Sequence, residues 1–263
     1  MSLPVVSTEI RGLRSERPVS HLSVFLASTP GEVESALALR YEIFAHEFGA
    51  EIAGPRPGID EDEFDAHCGH LLVRDDDRDE VVGTYRILTP EGAAAAGRYY
   101  SQGEFDLSRV LRPGRRVLEV GRSCVHRDYR HGGVIALLWS GIGAALHLHR
   151  IDYLMGCASV HDEDGGRIGA LYSRLAARHL APEDERVRPL RALPGFDPAS
   201  AAEPAELPAL LKGYLRTGAT IGGEPCWDPS FHAADFFIWL AARAITARYR
   251  RHFTEKPRLI DWS

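Results

Sequence analysis

The sequence predicts an α/β fold in which a mixed sheet is flanked by helices. Three patterns support this: an amphipathic helix over 31–48, an apolar hairpin over 70–88, and a strand, glycine turn, apolar helix and buried strand in succession over 116–157. The chain has 263 residues, of which 44% are hydrophobic, so it can bury one large core. We therefore expect a flexible lead at 1–20 and a single domain over 21–263.

The first half of the chain combines strands with one helix. Apolar residues recur at helical spacing after residue 31, and an Asp-rich turn separates two apolar runs that predict an antiparallel hairpin. Short helical or irregular pieces are expected at Ala93–Ala96 and Phe105–Leu111. The predicted regular elements are strands at His21–Ala27, His70–Arg74 and Val81–Leu88, and a helix at Gly31–Phe48.

The second half is organised around a glycine-rich turn between a strand and a long apolar helix. The strand after that helix is apolar on both faces, which is typical of a buried strand. Pro189 places the run Val187–Leu193 at a sheet edge, because proline cannot donate a ladder hydrogen bond. The remaining predicted elements are strands at Arg116–Val125, Ile151–Cys157 and Asp235–Leu240, and helices from Gly133 to His149 and at Gly166–Arg178, Leu207–Thr217 and Ala241–His252, the last of them basic.

Composition and charge argue against several classes of protein. The net charge of −6 and the pI of about 6.1 do not suit a nucleic-acid binder. The four cysteines are widely spaced, and without a secretory segment we expect free thiols in a cytoplasmic protein. The longest uncharged apolar stretch, Gly132–Leu146, is too short to cross a bilayer, which needs about 20 residues. Cys68 with His67 and His70 lacks the spacing of a zinc site, so no metal is expected.

The segment Tyr129–Val134 has the pattern of a phosphate-binding turn. It follows a strand and opens an apolar helix, where Gly132 and Gly133 let backbone N–H groups approach an anion and the helix N-terminus adds positive potential. A glycine-rich helix cap would show the same residues. The turn alone does not decide between these two interpretations.

Arg40 lies on the apolar face of the first predicted helix, between Leu37 and Phe44. A charge on a buried face costs several kcal/mol unless it is paired. We therefore expect Arg40 to have a carboxylate or a ligand as its partner. Structural pairing and a role in shaping a ligand pocket are the two alternatives.

Glu119 and Arg122 lie on one predicted strand, three positions apart. An unbroken strand would send their side chains to opposite faces, but Gly121 permits a bulge that redirects both. A carboxylate beside an open strand is suited to act as a general base that takes a proton from an ammonium group. The alternative is an ion pair of Glu119 with Arg86 or Arg122, and both interpretations can hold at once.

Several runs, taken in order, resemble the ornithine–acyl carrier protein N-acyltransferases, which begin ornithine-lipid synthesis. The resemblance covers about residues 22–252, and a set of this size in order is specific. A more distant similarity, through Arg40 with Phe44 and Glu119 with Arg122, is to acyl-homoserine-lactone synthases. The runs are Leu39–Phe44, Asp62–Cys68, Val82–Arg86, Gly103–Leu107, Leu118–His126, Gly156–Ser159, Leu211–Arg216 and Asp235–Ile238.

This resemblance implies a Gcn5-related N-acyltransferase fold, with a mixed, bent sheet whose two central strands splay and leave a slot. It implies that a fatty or 3-hydroxy fatty acyl group passes from acyl carrier protein to the α-amine of ornithine, giving lyso-ornithine lipid. It implies no cofactor beyond the acyl-phosphopantetheine donor. The turn at 129–133 lacks the fuller signature of coenzyme A users, which weakens the case for a complete nucleotide site.

The patterns and the resemblance together give three sets of expected site residues. The acyl carbonyl would be polarised by a backbone N–H group within 123–125, and the acidic loop Asp60–Asp65 would recognise the cationic side chain of the acceptor. The catalytic set is Glu119, Arg122 and Ser123; the substrate-binding set is Arg40, Phe44, Asp65 and Arg86, with the fatty chain running over Phe44 and Phe48. The set for pantetheine and acyl carrier protein is Val125, Arg127, Arg130, Gly132 and Gly133, joined by Arg112, Arg115 and Arg116 on the docking surface.

Two other functions stay open. One is an acyl-homoserine-lactone-type or other N-acyl amino acid synthase. The other is a non-catalytic module that binds lipid at a membrane surface, which the basic C-terminal residues Arg243, Arg248, Arg250 and Arg251 would suit. The same arginines leave open a peripheral contact of the enzyme with the inner membrane face.

Overall fold

A computed structural model describes residues 6–8, 21–52 and 54–245. Within that part of the chain, eleven strands form one large sheet and one small one. The strands are β1 Val6–Thr8, β2 Leu22–Leu26, β3 Gly69–Asp75, β4 Glu80–Leu88, β5 Phe105–Asp106, β6 Val117–Val125, β7 Tyr153–Val160, β8 Arg188–Pro189, β9 Thr220–Ile221, β10 Cys226–Asp228 and β11 Ala233–Ala241.

Five α-helices flank the sheet in the described ranges. The first begins with Thr29 as its N-cap, where the Thr29 hydroxyl accepts from the Glu32 N–H and the Glu32 carboxylate accepts from the Thr29 N–H. It continues as a wider π-helical turn over Glu42–Glu47. The helices are α1 Pro30–Tyr41, α2 Pro90–Ala96, α3 Gly133–Leu148, α4 Gly165–His179 and α5 Ala209–Thr217.

The large sheet has the order β1-β2-β3-β4-β6-β7-β11-β10, with β9 beside β11. Its neighbours pair antiparallel except β6 and β7, which are parallel. The mixed sheet agrees with the prediction. The small sheet joins β5 to β8.

The central strands are buried on both faces. Along β7, Leu154 packs in the same cluster as α3 and α5, whereas its neighbours Tyr153 and Met155 pack in a second cluster with Phe105. Alternate side chains of a strand point to opposite faces, so the two clusters are the two sides of the sheet. Gly83 of β4 allows α3 to approach closely, because a Cβ there would lie 2.3 Å from a Val134 methyl carbon.

The structure extends or corrects several predicted elements. The segment 105–111 was predicted to be helical or irregular, but it begins with the strand β5. The edge strand predicted at 187–193 is shorter than expected and consists of the two residues of β8. The strand predicted at 235–240 is longer, and a 3₁₀ turn at Ala242–Ala244 follows it where a basic helix was expected. The rest of that helix lies outside the described residues.

Three further strands were not predicted. β9 and β10 both pair with β11, and β1 lies within the segment expected to be a flexible lead. The other residues of that lead are outside the described ranges. Among the residues that the structure does describe, none of the helices has the length and apolar character needed to cross a membrane.

Candidate active site

The two central strands part and leave a slot between them. β6 and β7 pair from Val117 opposite Tyr153 to Glu119 opposite Met155, and no pairing continues beyond that point although both strands run on. A cavity of about 340 Å³ opens there and is lined by both strands and by α5. The splayed central strands therefore agree with the expected fold.

β6 carries a bulge at the edge of the slot. Its register against β4 shifts so that Arg122 and Ser123 together oppose Tyr85. Arg122 has a φ of 50°, a left-handed conformation that is uncommon for a residue with a side chain. A bulge was expected at Gly121, but the left-handed residue is Arg122, which ion pairs with Asp60 and Asp62 hold in place. Such strain is often found at functional sites.

The carboxylate of Glu119 is buried and lines the slot where the strands part. It accepts hydrogen bonds from the Tyr100 N–H at 2.7 Å, from the Ser101 N–H at 2.8 Å and from the Ser101 hydroxyl. Burial raises the pKa of Glu119, although these donors oppose the shift. The alternative ion pair with Arg86 or Arg122 is not formed in the described part of the chain.

Arg40 is completely buried and has two carboxylate partners. Its Nε lies 2.7 Å from Asp60 and its Nη1 lies 2.7 Å from Asp65. Burial alone would raise the pKa of Asp65, but the adjacent Arg40 and then Arg86 outweigh it and hold that pKa well below its usual range. Neither Arg40 nor Asp65 lines the cavities of the site, so the structure supports the pairing role that the sequence had left open.

Arg86 and Arg122 complete this network. Arg86 donates to Asp62 at 2.6 Å and to Asp65 at 3.2 Å, while Arg122 lies 3.1 Å from Asp62 and 3.3 Å from Asp60. The acidic loop 60–65 thus neutralises buried arginines. Both arginines still line the slot, unlike Arg40.

The guanidinium of Arg122 is stacked between two rings. Its carbon lies 5.1 Å from the ring centre of Tyr100 and 5.1 Å from that of Phe231. Arg122 lines both the slot and a neighbouring cleft of about 400 Å³. A guanidinium held in a plane in this way is suited to bind a carboxylate.

Ser123 lies where the slot meets a third, largely apolar cavity. Its side chain hydrogen-bonds to Tyr85, whose hydroxyl is 2.5 Å from that of Tyr214 on α5. Burial raises the pKa of Tyr85 to about 12. Neither tyrosine was predicted as a site residue, although both lie in runs that carry the family resemblance.

The third cavity, of about 540 Å³, extends from the slot to the start of α3. Val125, Arg130 and Gly132, which belong to the set predicted for pantetheine and acyl carrier protein, line it. Arg130 donates to the Val125 carbonyl at 2.9 Å and to Glu47 at 2.7 Å. Gly132 has a φ of 101°, which favours glycine in this turn.

Of the remaining predicted site residues, two phenylalanines line the cavities and Arg127 does not. Phe44 lines the slot, and Phe48 lines both the slot and the third cavity while stacking 4.7 Å from His161. Gly133 begins α3. The Arg127 side chain is 62% exposed and lies 3.8 Å from Glu42, outside the cavities.

Cys157 is poorly suited to be a nucleophile. Burial, followed by the neighbouring carboxyl of Glu104, raises the pKa of its thiol well above the usual value. A neutral thiol is much less nucleophilic than a thiolate. The site therefore suits a reaction without a thiolate nucleophile, and it places a buried carboxylate, an arginine and an apolar cavity around one slot.

Comparisons with known proteins agree with this geometry. A family profile described as "Acetyltransferase (GNAT) domain" matches residues 39–140. The acyl-homoserine-lactone (AHL) synthase LasI has a TM-score of 0.53 and 11% identity, covering 92% of this chain and 99% of its own, which shows a shared fold.

Curated relatives cover almost the whole chain. An L-ornithine N(alpha)-acyltransferase of Rhodobacter capsulatus is 34% identical over 255 residues, which are 91% of this chain and 96% of the relative. One of Rhizobium meliloti is 35% identical over 254 residues, which are 89% of this chain and 85% of the relative. The chain therefore belongs to the L-ornithine N(alpha)-acyltransferase family.

Proposed function

We propose that this protein transfers a fatty or 3-hydroxy fatty acyl group from acyl carrier protein to the α-amine of ornithine, giving lyso-ornithine lipid. Residues 21–263 would form one N-acyltransferase domain. The observation that carries the proposal is the slot between β6 and β7, where the buried carboxylate of Glu119 and the bulge at Arg122 face one cavity in a chain of this family. The reaction as written needs no cofactor.

The reaction exchanges a thioester for an amide. The amine nitrogen attacks the acyl carbonyl, the new C–N bond forms, and the C–S bond breaks to release the pantetheine thiolate. Glu119 receives the proton that the nitrogen loses, and its raised pKa brings it nearer to neutral pH. A backbone N–H group within 123–125 would stabilise the carbonyl oxygen as it gains negative charge.

The acceptor would lie across the slot and the neighbouring cleft. Arg122 lines both, and its planar guanidinium would hold the α-carboxylate of the amino acid. Arg86 and Arg122 each pair with one oxygen of the Asp62 carboxylate, which fixes the direction of both side chains. This binding mode would direct the α-amine towards Glu119.

The donor would occupy the apolar cavity. Its lining of Ile135, Trp139 and Leu210 suits an acyl chain, and Phe48 joins it to the slot. The pantetheine arm would reach Ser123 past Val125 and Gly132. The protein would work in the cytoplasm and touch the inner membrane face peripherally as it releases its lipid product.

The docking surface for acyl carrier protein would lie around Arg127 and Arg130, at the mouth of this cavity. Acyl carrier proteins are acidic, so a basic rim would attract them. All five arginines proposed from the sequence lie near a carboxylate: Arg112 near Asp184, Arg115 near Glu185, Arg116 near Glu91, Arg127 near Glu42 and Arg130 near Glu47. Arg130 differs from the others because it lines this cavity, and Arg127 because it is the most exposed of the five.

We expect the double variant Arg127→Glu/Arg130→Glu to raise the KM for acyl carrier protein about tenfold or more and to change the KM for a short acyl-pantetheine much less. Steady-state kinetics with both donors measures this. The effect should shrink at high salt, since exposed charges are screened over roughly 8 Å at physiological ionic strength. The variant Arg174→Glu/Arg178→Glu on α4 is the control, because it makes the same charge change at exposed positions. Equal losses with both donors would contradict a protein docking surface.

Expression in a bacterial host that lacks ornithine lipids tests the proposed function. Mass spectrometry of the extracted lipids should find ornithine carrying one amide-linked acyl group, and Glu119→Gln should strongly reduce its amount. An acyl-homoserine lactone in the medium would instead support a signal synthase. Vesicle binding by a wild-type protein that produces neither compound would support a non-catalytic module.

A further inference from the structure

The innermost carboxylates of the acidic loop 60–65 are already engaged by arginines. Its three innermost carboxylates, Asp60, Asp62 and Asp65, all pair with buried arginines. The carboxylates in this network are therefore already neutralised. A group of buried acids without arginine partners is better suited to bind the cationic side chain that distinguishes ornithine from a neutral amino acid.

Glu104 and Asp235 form such a group. Their side chains are only 3% and 4% exposed, and among the described residues neither forms an ion pair with an arginine, lysine or histidine. Glu104 Oε2 and Asp235 Oδ1 are both buried without a hydrogen-bond partner. One carboxyl oxygen of each and the Cys157 sulfur lie within 4.8 Å of one another. Buried carboxylates of this kind normally have a partner.

The pair lies between the two cavities assigned to the acceptor. Asp235 and Cys157 line the slot, Glu104 lines the neighbouring cleft, and Asp228 lines both. Tyr100 and Arg122 are also shared by both cavities. An amino acid held by Arg122 would therefore have acidic groups within the same continuous space.

Burial and mutual proximity favour the protonated form of the free pair. Burial first, and then mutual repulsion, raises the pKa of Asp235 well above its usual value, and burial likewise raises the pKa of Glu104. One carboxyl oxygen of each lies within 4.8 Å of the other, and two negative charges this close disfavour ionisation of both groups at once. The other polar groups beside the pair are Tyr100, Cys157, Ser159 and Asp228, and the cations that line the same cleft as Glu104 are Arg98, Arg122 and Arg191. A bound ammonium group could replace the proton on the pair.

We propose that Glu104 and Asp235, with Asp228 at the rim, bind the side-chain ammonium group of the acceptor, an assignment that rests on the proposed function. The ammonium group would donate hydrogen bonds to Glu104 Oε2 and Asp235 Oδ1, the two oxygens left without partners. Arg122 and this acidic pair would then hold the two ends of the amino acid. The distance between Arg122 and the acidic pair would select an acceptor whose side chain has the matching length.

Norvaline tests this subsite because it is ornithine without the side-chain amine. A site built to bind a charged group rejects an analogue that lacks it, so we expect wild-type kcat/KM to favour ornithine by about 10²-fold or more. In the variants Glu104→Gln and Asp235→Asn, kcat/KM for ornithine should fall by about 10²-fold, while that for norvaline should stay within about threefold. Glu224→Gln is the matched control, because it removes one negative charge at an exposed position, and it should not change kcat/KM for either amino acid.

The wild-type protein provides a second measurement that does not depend on variants folding. The ratio of kcat/KM for ornithine to that for norvaline should rise with pH, because deprotonation of the pair creates the charge that only ornithine uses. Ionisation of Glu119 affects both acceptors and cancels in the ratio, and ionisation of the α-amine also cancels while the pH stays below the α-amine pKa of both acceptors. A ratio that does not change with pH would contradict the proposal.

The remaining outcomes are distinct. A wild-type protein that acylates neither amino acid would contradict the proposed function. Ornithine transfer that is unaffected in both variants would leave that function standing and overturn the subsite. Stoichiometric metal in the purified protein, lost with Asp235→Asn, would also overturn it, since Glu104, Cys157 and Asp235 would then hold an ion instead.

Discussion

Glu119→Gln should lower kcat by about 10²-fold or more and leave the KM values nearly unchanged, because general acid–base catalysis is usually worth this much. Glu119 is the buried carboxylate at the point where β6 and β7 part, and it lines the slot in which the amine would attack. Its raised pKa means that the base becomes protonated as the pH falls. Steady-state kinetics with acyl carrier protein and ornithine measures the loss.

The pH profile separates this role from a purely structural one. The Glu119 carboxylate also accepts hydrogen bonds from the Tyr100 and Ser101 N–H groups. In Glu119→Gln the side-chain NH₂ group would face one of these N–H groups, and two donors cannot form a hydrogen bond. A distorted loop would lower activity at every pH. Loss of a catalytic base instead removes the decrease in rate that the wild-type protein shows as the pH falls. Glu206→Gln, an exposed change of the same kind, is the control. Unchanged kinetics at neutral pH would exclude Glu119 from the mechanism.

Arg40→Met should lower the free energy of unfolding by about 3–5 kcal/mol, because it leaves two buried carboxylates without their cation. Asp60 and Asp65 each lie 2.7 Å from Arg40, and all three side chains are buried. The melting temperature should fall by roughly 10 °C. Denaturant unfolding measures the free energy of unfolding, and thermal unfolding measures the Tm.

A surface pair provides the control for Arg40. Arg56→Met removes an arginine that is 50% exposed and lies 2.9 Å from Glu34. It should cost less than about 1 kcal/mol, because exposed pairs are screened by solvent. Equal losses for the two variants would contradict the buried network. A normal Tm for Arg40→Met with a raised KM for ornithine would support the alternative role in ligand binding.

The acid dependence of stability follows from the same network. The lowered pKa of Asp65 means that its contribution is present above the unfolded pKa of about 4 and is lost as the pH falls below it. Arg40→Met removes a main cause of that lowered pKa. The stability of this variant should therefore decrease less steeply in acid than that of the wild-type protein.

The sequence predicted those parts of the fold and site that depend on local patterns. Arg40 on an apolar helix face implied a buried partner, and the structure provides Asp60 and Asp65. Glu119 and Arg122 on one strand implied a bulge, and the structure has one. Both inferences needed only the period of a helix or strand.

The remaining features depend on residues that are far apart in the chain. The contact of Tyr85 with Tyr214 spans 129 positions, and Glu104 meets Asp235 only because the loop before β5 packs against β11. Two-residue strands such as β5 and β8 have no pattern of their own; they exist because they pair with each other. The acidic run 60–65 suggested a cation site, but the sequence did not show that nearby arginines would occupy it.

Transfer by the purified protein is the most direct test of the proposed function. Acyl carrier protein loaded with a 3-hydroxy fatty acyl group, and separately the matching acyl-coenzyme A, would be incubated with ornithine and the product analysed by tandem mass spectrometry. The proposed function predicts one acyl group on the α-nitrogen of ornithine, formed with the acyl carrier protein donor. An acyl group on the side-chain nitrogen would contradict the assigned orientation, and equal use of acyl-coenzyme A would contradict the assigned donor. Failure to form any amide from either donor would contradict the function itself.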